Sequence, residues 1–133
     1  METYLKFSFW AYASIVLFYL IAGINHFINP EWYYPLIPDY LGYPKTLNTI
    51  AGIAEILGAT GLIFKKTKQL ASIGLILMLI IFIPSHWYFI EQGSCIEGTL
   101  CVAPWIAWVR LIIIHPLLIA WVWWAKKTSY GIS

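Results

Sequence analysis

Charge is scarce in this sequence. Asp, Glu, Lys and Arg make up 11% of its 133 residues, about half the share in a soluble domain. The formal net charge is only +2, and no basic patch interleaves with aromatics, so nucleic acid is not an expected partner. Cysteine occurs twice, which excludes a disulfide-dense secreted scaffold. The chain also has no phosphate-binding glycine loop, no nucleophile paired with a nearby base and no paired catalytic carboxylates. A cleavable signal peptide is not expected, because the first apolar run is too long and no Ala-x-Ala-like site follows it.

What the sequence does have is hydrophobic length. Apolar residues make up 61% of it. Four runs, near 7–28, 47–64, 69–90 and 104–125, can each cross about 30 Å of hydrocarbon at about 1.5 Å per residue. The expected fold class is therefore all-α, a single integral-membrane four-helix bundle with the lipid bilayer as its first partner. Lys6, Lys65, Lys66, Lys68, Lys126 and Lys127 fall on one side of these spans and Lys45 on the other. By the positive-inside rule both termini are cytoplasmic, in a bacterial inner membrane.

Against that background Glu55 stands out. It lies inside the run 47–64, where a charge costs roughly 2.5–3.5 kcal/mol on insertion scales. Ala51, Ala54, Gly58 and Gly61 recur around it at three- and four-residue steps, and such a stripe lets another backbone approach closely. Placed by depth, His26 and His86 lie near the outer ends of spans 1 and 3. Glu55 lies roughly 12 Å down span 2 and Arg110 about two turns into span 4. Each span thus carries one ionisable group in its outer half. Buried charge needs a partner, so Glu55 and Arg110 are expected to pair, directly or through water, with the histidines hydrogen-bonded nearby.

Each of these residues also has a structural reading. Glu55 and Arg110 would be a brace that fixes helix register. His26, in step with Tyr12 and Tyr19, would be polar glue between helices. His86 would satisfy backbone freed at Pro84. His26, Glu55 and His86 suit a metal chemically, but no local ligand spacing supports one and none is expected. On α-helical geometry His115 stands about 140° from Arg110, on another surface unless Pro116 turns the helix.

The loop 30–44 carries four prolines and several aromatics, which fits an interfacial belt or a lid over the outer mouth of the bundle. Cys95 and Cys101, spaced C-x5-C in the second outer loop, read first as a structural disulfide. A redox-active pair, a metal site and two free thiols are the alternatives.

The strings Ala22-Gly23-Ile24-Asn25-His26-Phe27-Ile28-Asn29-Pro30, Tyr34-Pro35-Leu36-Ile37-Pro38 and Gly52-x-x-Glu55-Ile56-Leu57-Gly58-x-x-Gly61-Leu62 resemble the DoxX family of small four-helix membrane proteins. So do Pro84-Ser85, Trp108-Val109-Arg110-Leu111 and Leu118-Ile119-Ala120-Trp121. The resemblance implies an inner-membrane bundle tied to quinol oxidase, thiosulfate:quinone or thiol-redox systems, with Glu55, His26 and Arg110 at the family's polar positions. Two residues depart from that pattern, His86 in place of Asn and His115 in place of Gln. The cysteine loop lies outside it. The expected function is a redox-accessory protein, quinone- or thiol-linked, with a small apolar ligand such as a quinone in the outer half. The alternative is a non-catalytic subunit of a larger membrane complex or homo-oligomer. Transport is disfavoured, since four helices leave no wide path and no inverted repeat is visible.

Overall fold

A computed structural model describes residues 1–133, the side chains of residues 2–4 excepted. Four long helices dominate: α1 (Glu2–Ile28), α2 (Pro44–Ile63), α3 (Lys68–Glu91) and α4 (Pro104–Lys127). All four are apolar and long enough to cross a membrane. Their positions follow from hydrophobic length, and their ends differ from the sequence expectation by at most five residues. Pro44 and Pro104 each open a helix at its first turn, where a missing N–H costs nothing.

The prolines of the first loop do what their chemistry requires. No long helix forms; residues 30–41 fold into three short 3₁₀ turns, Pro30–Trp32, Tyr34–Leu36 and Asp39–Leu41. The Tyr88 hydroxyl donates to Asp39 and ties this loop to α3. The second loop is a hairpin of two-residue strands, β1 (Cys95–Ile96) and β2 (Leu100–Cys101), with Cys95 opposite Cys101. The two cysteines form a disulfide.

Helices pack in chain order, α1 on α2, α2 on α3 and α3 on α4. The lysine-bearing half is closed. Tyr12, Ile15, Leu62, Leu75, Val122 and Ala125 fill its core, and the Tyr12 hydroxyl donates to the Leu62 carbonyl. The C-terminal tail folds back over this end. Ile132 exchanges backbone bonds with Ile63 and Lys65, Lys68 donates to the Thr128 and Tyr130 carbonyls, and Tyr130 bonds Ser8. Gly131, at φ 122°, makes the sharp turn that brings the tail in. In the opposite half the helices separate. There α1 and α4 barely touch; they meet chiefly toward the closed end, where Trp121 Nε1 donates to the Ala11 carbonyl.

Candidate functional site

The open half holds a cavity of about 580 Å³. That volume falls in the usual range for small-molecule sites, and most of its wall is apolar, with a few polar groups converging on it. Tyr33, Leu36, Ile37 and Leu41 of the first loop roof it. Below, the buried side chains of Leu79 and Tyr19 separate it from the closed core. Phe18, Ile50, Leu77, Ile81 and Ile114 line the cavity and are themselves exposed, so it opens through the side of the bundle.

One wall is built where α1 crosses α2. A Cβ at Gly52 would lie 2.7 Å from His26 Cβ, and one at Gly23 would lie 2.9 Å from the Gly52 carbonyl. Two glycines therefore let the backbones meet, and the crossing sets His26 against Glu55. His26 Nε2 lies 3.6 Å from Glu55 Oε2. Both residues are buried. The buried face of α2, Asn48, Gly52, Glu55, Gly58 and Leu62, repeats every three to four residues and carries Glu55 at its middle.

His26 is held in one orientation. Asn48 Nδ2 donates to the His26 backbone carbonyl at 2.9 Å, which turns Asn48 Oδ1 toward His26 Nδ1 at 2.6 Å. A carbonyl oxygen only accepts, so Nδ1 must carry the proton and the neutral ring presents a bare Nε2. The Tyr33 ring stacks on the imidazole at 3.7 Å between centroids. An amide relay positions that ring: Asn29 Nδ2 donates to Asn25 Oδ1, and Asn25 Nδ2 donates to the Tyr33 hydroxyl.

The second wall comes from α3 and α4. The imidazoles of His86 and His115 meet edge to face at 4.7 Å. His115 Nε2 bonds the Leu79 carbonyl, in the turn that precedes the helix-interior Pro84. Arg110 lines the same cavity. Residues Arg110–Ile114 form a π turn, and the His115 N–H bonds the Arg110 carbonyl five residues back. That wider turn changes the phase of α4.

One expectation is narrowed here and one is corrected. Glu55 and Arg110 do not pair directly: among the described residues the carboxylate has its cationic-side neighbour in His26, and no Glu55–Arg110 contact falls within 4 Å. The α1–α2 glycine crossing explains this, since it fixes Glu55 on the first wall while Arg110 stands on α4. His115 does not serve another surface; the π turn brings it into the cavity beside His86.

All four sequence-identified residues, Glu55, Arg110, His26 and His86, line this one cavity. Asn48, Tyr33 and Tyr19 join them. From the small-residue stripe, Gly58 and Gly61 face Leu75 and Ala71 of α3, while Gly52, outside the stripe, faces α1. Among the described residues no three His, Cys, Asp or Glu side chains converge as a metal site. Two buried oxygens of the wall have no hydrogen-bond partner, Glu55 Oε2 and the Tyr19 hydroxyl. An orphaned polar atom of this kind is costly and calls for an explanation.

The fold and cavity define a helical protein with four membrane-length apolar helices and, between them, a largely apolar pocket with a few converging polar groups. Residues 15–126 match a family described as Domain of unknown function (DUF8561), and the chain belongs to that family. This corrects the expected DoxX membership. The strings behind it are short, and the small residues among them are ones that close helix packing favours in any membrane-length bundle. The quinone- or thiol-linked role implied by the resemblance has no independent support among these residues. No curated protein and no solved structure matches the chain.

Proposed function

We propose that this protein is a multi-pass membrane protein that binds a small lipid-borne amphiphile, apolar body and polar head, in the cavity between its helices. The lysine-bearing end with both termini is cytoplasmic, and the cavity lies in the outer half of a bacterial inner membrane. The observation that carries the reading is the pair of orphaned oxygens, Glu55 Oε2 and the Tyr19 hydroxyl, in the wall of an apolar cavity open to the side. A ligand that is dissolved in the bilayer reaches such a site laterally, and its head satisfies the orphans. A quinone in its reduced, hydroquinone form, with a hydroxyl to donate, is one molecule of that shape and polarity. A packed core fills the lower half of the bundle, which favours binding over conduction.

The test is to purify the protein from its own membranes into phosphatidylcholine nanodiscs and analyse the organic extract by mass spectrometry. Ala54→Trp, which fills the cavity from α2, is the control. A molecule present at near-stoichiometric amount in the wild type and lost in Ala54→Trp supports the reading. Identical extracts from the two proteins contradict it.

A further inference from the structure

The cavity's two walls carry ionisable groups of opposite formal charge. Glu55 stands on the α1–α2 wall and Arg110 on the α4 wall, and neither has an ion-pair partner of fixed charge within 4 Å among the described residues. With neutral histidines the cavity is formally neutral. An anionic head would meet the buried Glu55, and a cationic head would meet Arg110, which lines the cavity while keeping an exposed surface, each at a Coulombic cost. A neutral head meets neither penalty.

The hydrogen-bonding sense of the walls narrows the head further. His26 Nε2 is bare because Asn48 fixes the proton on Nδ1. Its neighbour at 3.6 Å, Glu55 Oε2, is unpartnered and, as the carboxylate, is also an acceptor. Two acceptors side by side need a donor. Arg110, across the cavity, offers only donors.

We infer that the cavity selects a neutral head group bearing a hydroxyl, which donates its O–H to the Glu55–His26 pair and accepts from Arg110. Asn48 is then a positioning residue, since it decides which face of His26 is left to accept. The inference rests on the ligand-binding reading above and adds the chemical class of the head. A phenol or a lipid alcohol meets it, whereas an ammonium, a sulfonate and a bare hydrocarbon each fail one of its conditions.

The experiment uses the full chain in phosphatidylcholine nanodiscs and four probes with one tail: 4-dodecylphenol, dodecylamine, dodecylsulfonate and dodecane. Native mass spectrometry reads the bound fraction of each. The expected result is binding of 4-dodecylphenol at least about tenfold tighter than the other three, the scale of one hydrogen bond to a charged group. Glu55→Gln leaves Arg110 alone and should shift preference toward the sulfonate. Arg110→Gln leaves Glu55 alone and should shift it toward the amine. Equal binding of all four probes to the wild type overturns the head-group inference while leaving the cavity as a ligand site. No binding of any probe overturns both. Unchanged preference in folded variants also overturns the inference. If a variant fails to fold, the wild-type comparison alone decides.

Discussion

Asn48 grips His26 at two points, the backbone carbonyl at 2.9 Å through Nδ2 and the ring Nδ1 at 2.6 Å through Oδ1. The residue that fixes the imidazole thus also fixes its tautomer, and with it the character of the wall that faces the cavity.

Replacing Asn48 by Leu should free the ring. Nitrogen-15 spectra of histidine-labelled protein are expected to show a single Nδ1–H tautomer for His26 in the wild type and a mixture in Asn48→Leu. The variant also leaves the His26 carbonyl without its donor, a loss of about 1–3 kcal/mol for a buried group. One tautomer in both proteins would mean that Asn48 does not set it.

Gly52→Ala should drive α1 away from α2. The new methyl would sit 2.7 Å from His26 Cβ and 3.1 Å from the Gly23 carbonyl, and backbone cannot rotate aside. Overpacking of this kind costs about 1–3 kcal/mol. Thermal unfolding in detergent should show the loss, while Gly74→Ala on α3, where nothing lies within 4 Å, should be nearly silent. Equal melting temperatures for the two variants would contradict the crossing.

Glu55 and His26 should be coupled more strongly than Glu55 and Arg110. A double-mutant cycle of Glu55→Gln with His26→Leu, read by unfolding, is expected to give the larger interaction energy, because those side chains touch and share a network. A larger coupling for Glu55→Gln with Arg110→Gln would restore the direct brace.

Much of this was legible in the residues. Hydropathy alone places four helices, and the cost of burying charge singles out Glu55, Arg110, His26 and His86, which all line the cavity, with Arg110 keeping an exposed surface as well. Which of them meet was not legible. Helical periodicity puts Glu55 on a face, but the partner depends on where α1 crosses α2, and Gly23 and Gly52 settle that only in three dimensions. Asn48 went unnoticed because a single amide near a helix start reads as an end-of-span polar residue. Tyr33 looked like one more interfacial ring. His115 was misplaced because 3.6-residue counting fails through Arg110–Ile114, where the helix widens to a π turn. The DoxX resemblance rested on short strings, whereas the family match spans residues 15–126.

The orientation is open to a labelling test. In right-side-out vesicles an impermeant maleimide should react at Cys95 and Cys101 only after reduction of their disulfide. A cysteine placed at Ser133, in the variant Ser133→Cys, should react only after the vesicles are opened. Labelling of Ser133→Cys in sealed vesicles would reverse the topology.

The most direct measurement is an experimental structure of the protein in lipid nanodiscs formed from its own membranes. Density for a non-protein molecule in contact with Glu55 and the Tyr19 hydroxyl, beneath Tyr33, is the result expected. A collapsed cavity with Glu55 and Arg110 joined side chain to side chain would contradict the account.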